Sequence, residues 1–226
     1  MSGFFVTGIG TDIGKTVVSA ILVEALKADY WKPIQSGNLD YTDTDFIRDY
    51  TIQHQTLHNE GYVFTEPVSP HLAAELESKQ IDIQYLNLPK SNNYMIVEGA
   101  GGLLVPLNSK YLIIDLISKL QFPVILVSKN YLGSINHTLL SIEILKQKNI
   151  PIAGIVFNGT PNPSTEDFIL KYTQLPLLAK IPLAEEMSKG FIVQQAETMR
   201  KSLEPILANL PKPNLSNDLT IDYESF

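Results

Sequence analysis

At 226 residues with 44% apolar content, the chain is long enough to bury an α/β core without a metal or disulfide scaffold. A net charge of −7 leaves no basic excess for nucleic-acid phosphates, and the lack of cysteine excludes disulfides and thiolate zinc sites. The four histidines, His54, His58, His71 and His137, are not spaced as a metal cluster, so any bound metal is expected to be a hard, oxygen-ligated cation.

Short apolar runs alternate with segments of helical period, which predicts a doubly wound, mostly parallel sheet with helices on both faces. In chain order, the pattern predicts a strand at 4–7, a helix at 16–27, a strand at 30–34 and a short helix at 70–78 opened by Ser69-Pro70. A strand at 94–97, a helix at 112–120, a strand at 124–127 and a helix at 136–148 follow. Strands at 152–157 and 177–181 and a helix at 190–208 complete the series. Residues 1–210 read as one α/β domain, and 211–226, rich in proline and Asn/Asp with little periodicity, as a tail. The N-terminus has no basic leader, and no apolar run reaches the about 18 residues of a membrane span. A cytoplasmic protein with no membrane or nucleic-acid partner is expected.

Chemistry concentrates where strands end. Between the first strand and helix lies Gly8-Ile9-Gly10-Thr11-Asp12-Ile13-Gly14-Lys15-Thr16, a phosphate-binding loop one residue longer than the common form. Its backbone N–H groups suit phosphate oxygens, Lys15 the outer phosphates, and the Thr16 hydroxyl a magnesium ion. In Val97-Glu98-Gly99-Ala100-Gly101-Gly102, a buried strand ends in a carboxylate suited to the same magnesium, followed by small residues that admit a close ligand. In Trp31-Lys32-Pro33-Ile34-Gln35-Ser36-Gly37, Lys32 can supply a second positive charge over a transferring phosphoryl group. Either Asp43 or Asp45 can complete a magnesium shell or cap the next helix; Asp45 is favoured.

Together these segments resemble the dethiobiotin synthetase family. Besides the loop, the resemblance is carried by Lys32-Pro33 with Ser36-Gly37, by Glu66-Pro67-Val68-Ser69-Pro70-His71, by Val97 to Gly102 and by Leu132-Gly133-Ser134-Ile135-Asn136-His137. Asn158 matches the family's adenine-contacting asparagine. The resemblance implies a P-loop NTPase-like fold and an ATP- and magnesium-dependent ligase. Such an enzyme takes 7,8-diaminononanoate and carbon dioxide to dethiobiotin, releasing ADP and phosphate. One amine takes up carbon dioxide, the resulting carbamate oxygen attacks the γ-phosphorus of ATP, and the neighbouring amine closes the cyclic urea as phosphate leaves the mixed anhydride.

The same resemblance implies roles for individual residues. Lys15 and Lys32 act in catalysis, and Thr16, Asp45 and Glu98 hold magnesium. Nucleotide contacts fall to Asp12, Ile13, Gly14, Lys15, Thr16, Val17, Asp45, Glu98, Gly99, Ala100 and Gly101. Further nucleotide contacts fall to Asn158, Gly159, Pro182, Leu183 and Ala184. Thr11, Ser36, Gly101 and Gly102 orient the diamine, and Asn136 meets its carboxylate across a homodimer. The alternative is a partition or septum-positioning ATPase, but Gly10 stands where those proteins carry an extra lysine. A small-molecule kinase with an arginine lid is hard to build from Arg48 and Arg200, the two arginines of the chain.

Overall fold

The computed structural model describes residues 2–52 and 55–211; His54 and the expected tail from residue 212 onward lie outside them. The chain begins β1 (Gly3–Gly8), α1 (Lys15–Leu26), β2 (Asp29–Trp31), β3 (Ile34–Ser36) and α2 (Asp43–Tyr50). It continues through β4 (Leu57–His58), β5 (Tyr62–Phe64), α3 (Pro70–Leu76), a 3-10 turn over Ile83–Tyr85, β6 (Met95–Gly102) and α4 (Ile113–Leu120). The last elements are β7 (Val124–Ser128), α5 (Ser134–Gln147), β8 (Ile152–Asn158), α6 (Pro163–Thr173), β9 (Leu177–Ile181) and α7 (Lys189–Leu207).

Seven strands form a parallel sheet in the order β4-β2-β6-β1-β7-β8-β9, and β3 pairs with β5 in a small second sheet. Both faces of the large sheet are covered, which is why its central strands are continuously apolar rather than alternating. Successive residues of β1 point to opposite sides. Phe4 and Val6 join the core beneath α1 and α7, whereas Phe5 joins the core beneath α4. Val18, Ile21 and Leu22 of α1 are fully buried, each contributing about 1.5–3 kcal/mol relative to exposure. Among the described residues, no helix is long and apolar enough to cross a membrane.

The expected 30–34 strand is two strands. Pro33 has no N–H to donate to a ladder, so β2 ends at Trp31, and the chain steps across Lys32-Pro33 to pair again as β3 with β5. Strand β6 runs past the expected end at residue 97 to Gly102, which pairs with Gly8 of β1 after a register shift beyond the Val6–Glu98 pair. Helix α6 was not expected, and α2 only as the helix that Asp43 or Asp45 would cap. Each buries two residues, Thr44 and Ile47 in α2 and Glu166 and Ile169 in α6, too few to leave an apolar period in the sequence. Helix α5 begins at Ser134, before the expected Asn136, with Gly133 at its N-cap in the left-handed conformation, φ 100°.

This topology makes the site. The crossover from β1 through α1 leads to β2 on one side, while β7 leads through α5 to β8 on the other. Their divergence leaves a crevice over the carboxyl end of β1, flanked by β6 and β7.

Candidate active site

Strand register assembles the charged residues. Tyr30 pairs with Ile96 and Trp31 with Val97, so alternation places Tyr30, Lys32 and Glu98 on one face, the face covered by α1. Val6 pairs with Glu98, which sets the carboxylate beside the strand that feeds the phosphate loop. The loop enters α1 through Gly14 at φ 86°, where a Cβ would stand 2.0 Å from Asn158 Nδ2. Only glycine fits there.

Within this crevice Thr16 Oγ1 lies 2.8 Å from Asp43 Oδ1 and 3.0 Å from Glu98 Oε1. Lys32 Nζ lies 2.6 Å from Asp43 Oδ2 and 2.9 Å from Glu98 Oε1. Tyr30 donates its hydroxyl to Glu98 Oε2 at 3.0 Å, and Lys15 donates back to the Gly10 carbonyl at 3.1 Å. Lys15, Lys32 and Glu98 are buried and Asp43 is half-buried, so two cations and two carboxylates are gathered with limited access to solvent. Burial opposes the charge on Lys32, but Glu98 and Asp43 outweigh it and hold the ammonium above its ordinary value. Burial likewise opposes the charge on Asp43, yet Lys32 and the Thr16 hydroxyl bring its carboxyl below the ordinary value. Lys15 is lowered, first by burial and then by Lys32. Burial, then the charges of Glu98 and Asp43, push the Tyr30 phenol up, so it stays protonated and donates.

Asp45 does not join this group, which corrects the expectation. It is the third residue of α2, where its carboxylate accepts from the Thr42 backbone N–H at 2.9 Å and pairs with Arg48. The Thr42 hydroxyl and Asp45 form a reciprocal capping box, and those bonds hold the Asp45 carboxyl low. Asp43, one helical half-turn earlier, is the carboxylate turned toward Thr16.

A cleft of about 850 Å³ spreads from this cluster and is lined by Thr11, Asp12, Gly14, Val17, Ser36, Ala100 and Gly101, together with Phe46 and Pro67. Ser36 Oγ is buried without a hydrogen-bond partner, leaving a hydroxyl for a ligand. Gly101, at φ 65°, packs near Thr11, and Gly102 lies against Gly8 and Gly10. On the other side of the loop, Asn158 Nδ2 donates to the Ile13 carbonyl at 2.9 Å and ties β8 to the phosphate loop. Gly159 N–H is bonded to Ile181, which brings the Pro182-Leu183-Ala184 segment alongside Asn158. Asn136 is exposed in the first turn of α5 and lines neither this cleft nor an adjoining apolar groove of about 620 Å³ between Leu104 and Leu140.

The donors suit magnesium. Thr16, Asp43 and Glu98 offer oxygen only, and among the described residues no group of three His, Cys, Asp or Glu converges. A protein shell this sparse fits magnesium, which keeps waters and takes phosphate oxygens as further ligands.

Residues 2–190 match the family model described as AAA domain. The ATP-dependent dethiobiotin synthetase BioD of Cytophaga hutchinsonii is 48% identical over 198 residues, spanning 87% of this chain and 96% of that protein. The protein of the same name from Christiangramia forsetii is 45% identical, over 88% of this chain and 97% of its own. The chain belongs to the dethiobiotin synthetase family. A likeness to solved structures extends the fold: MinD of Pyrococcus horikoshii, complexed with Mg-ADP, superposes with a TM-score of 0.56 at 16% identity, covering 92% of this chain and 98% of that one. A ParA family ATPase from Chlorobium tepidum gives 0.53 at 15% identity, over 92% and 100%. At such identities these relatives share the fold alone with the dethiobiotin synthetase chain. Sequence reasoning missed Tyr30 in this family member, because a tyrosine in an apolar strand reads as core; only its contact with Glu98, 68 residues away, marks it.

Proposed function

We propose that this chain closes the ureido ring of dethiobiotin from 7,8-diaminononanoate, carbon dioxide and ATP. The observation that carries the reading is the joined set of Lys15, Thr16, Lys32, Asp43 and Glu98 around one phosphate loop, in a chain of this family. Phosphoryl transfer leaves a protein mainly positioning and charge to supply, and these residues supply both.

In this reading the loop's backbone N–H groups bind the β- and γ-phosphates, and Lys15 leaves the Gly10 carbonyl to meet them. Thr16, Asp43 and Glu98 would hold magnesium, which supplies charge neutralisation between the phosphates. Lys32 would meet the carbamate oxygen and the γ-phosphoryl group as they approach each other, and Glu98 and Asp43 favour its charged form. The carbamate oxygen displaces ADP from the γ-phosphorus. The second amine then attacks the carbamoyl carbon, expelling phosphate and closing the ring. Thr11, Ser36, Gly101 and Gly102 would orient the diamine, and Asn158, Gly159, Pro182, Leu183 and Ala184 would flank adenine. The exposed Leu104 and Leu140 that rim the apolar groove support a homodimer in which Asn136 of each subunit reaches the substrate carboxylate of the other. A cytoplasmic location accords with a substrate set of small metabolites and ATP.

The test is incubation with 7,8-diaminononanoate, bicarbonate and Mg-ATP, following dethiobiotin by mass spectrometry together with phosphate release. Diamine-dependent product that disappears in Lys15→Ala supports the ligase. ATP turnover indifferent to the diamine would instead favour a nucleotide-driven switch. For Asn136, replacement by alanine should raise the diamine KM and leave ATP binding alone; an unchanged KM removes that contact.

A further inference from the structure

Glu98 has two carboxylate oxygens, and the fold treats them differently. Oε1 faces Thr16 at 3.0 Å and Lys32 at 2.9 Å, on the side of the cleft. Oε2 receives the Tyr30 hydroxyl at 3.0 Å from within the sheet. Tyr30 is fully buried on β2, and Glu98 is 1% exposed on β6. Because β2 and β6 are neighbours in register, with Tyr30 opposite Ile96, the phenol reaches Glu98 along the same face without departing from the ladder.

We propose that Tyr30 is a positioning residue: its hydroxyl anchors Glu98 through Oε2 and so keeps Oε1 turned toward Thr16, where the metal–nucleotide is bound. The inference rests on the magnesium–nucleotide reading of the site. Three features carry it. A buried phenol needs an acceptor and a buried carboxylate needs donors, so the pair satisfies two groups that would each be costly alone. The terminal torsion of glutamate is soft, so a carboxylate without such an anchor can swing about its own bond. Finally, Tyr30 does not line the cleft and its hydroxyl bonds to Glu98, so its hydrogen bond acts on metal binding through that carboxylate. Partners that orient a ligating carboxylate from behind typically set its metal affinity by about tenfold or more.

The test compares wild type, Tyr30→Phe and a protein with 4-aminophenylalanine at position 30 by calorimetric ADP binding at stepped magnesium concentrations, with thermal unfolding of each protein as the check on folding. Tyr30→Phe keeps the ring and loses the donor; the amino variant keeps the ring and carries an N–H donor at the place of the phenol oxygen. The magnesium concentration that half-saturates ADP binding should rise about tenfold in Tyr30→Phe and stay within about twofold in the amino variant. ADP affinity without magnesium should be the same in all three. A Tyr30→Phe protein with wild-type magnesium dependence would overturn the positioning role, as would an amino variant that loses as much as Tyr30→Phe. Should Tyr30→Phe not fold, the amino variant decides alone: near-wild-type dependence supports the donor, and a loss of about tenfold overturns it. Wild type that binds ADP indifferently to magnesium would overturn the metal reading beneath the proposal. The dethiobiotin assay on wild type separately tests the ligase, so the two failures are distinguishable.

Discussion

Asp43 and Asp45 differ by two positions and make unrelated contacts. On an α-helix two residues are about 200° apart, so adjacent-looking carboxylates face opposite ways. Asp43→Asn removes half the countercharge of buried Lys32 and should lower kcat/KM for ATP by about 100-fold or more, as expected for preorganised charge in a water-poor site. Asp45→Ala should leave steady-state kinetics near wild type and cost about 0.5–1 kcal/mol of stability through the lost capping box, read as a lower thermal midpoint. The reverse pattern would reinstate Asp45 as the functional carboxylate. At Gly14 the backbone disfavours a side chain, with φ 86°, and a Cβ would stand 2.0 Å from Asn158 Nδ2. Gly14→Ala should cost about 1–2 kcal/mol in backbone strain alone and should weaken ADP binding, measured by calorimetry, because either the loop or the Asn158 amide that bonds to Ile13 must shift to relieve the contact.

At the scale of elements, the loop from β8 into α6 is pinned by one buried carboxylate. Glu166, 1% exposed, receives Asn162 N–H at 2.8 Å and Asn130 Nδ2 at 2.7 Å and pairs with Lys180 Nζ at 2.7 Å. Asn130 also donates to the Thr160 carbonyl, so β7, the loop after Gly159 and β9 meet at one point. Burial opposes the charge, but Lys180, the Asn162 N–H and Asn130 prevail and hold the Glu166 carboxyl below its ordinary value. A depressed carboxyl contributes stability in full above its unfolded value and loses it as pH falls through the folded one. Wild type should therefore exceed Glu166→Gln in thermal midpoint at neutral pH, and the gap should close below about pH 4, the ordinary carboxylate range. A gap independent of pH would mean that the charge on Glu166 contributes nothing. The shared anchor also explains why α6 holds its place with so little buried apolar surface: its hold is partly polar.

Across the whole molecule, residues from four separate stretches of chain converge because the sheet order places β2, β6 and β1 side by side. Binding there ties those elements together, so ligand should stabilise the folded chain by mass action. With ADP and magnesium at about 100 times the dissociation constant, the gain is about 2.7 kcal/mol, or a rise in midpoint of about 5–10 °C for a chain of this size. Lys15→Ala should abolish most of that rise. A rise unaltered by the mutation would place the nucleotide elsewhere.

The sequence by itself determined what local chemistry can encode. The phosphate loop was legible because strand, glycines, lysine and threonine are contiguous, and the strands because a parallel sheet covered on both faces demands unbroken apolar runs. Glu98 and Lys32 were legible for the same reason, as polar residues closing such runs. Tertiary structure decided everything that depends on orientation across distance. It turned Asp43 rather than Asp45 toward Thr16, since helical phase is fixed only once α2 starts at Asp43 beneath its Thr42 cap. It split the Lys32-Pro33 segment between two sheets, extended β6 through the glycines after Glu98 by pairing Gly102 with β1, and revealed Tyr30 as a partner of Glu98 as well as core. Side-chain identity states which bonds a residue can make; only the register of neighbouring strands and the phase of packed helices state with whom.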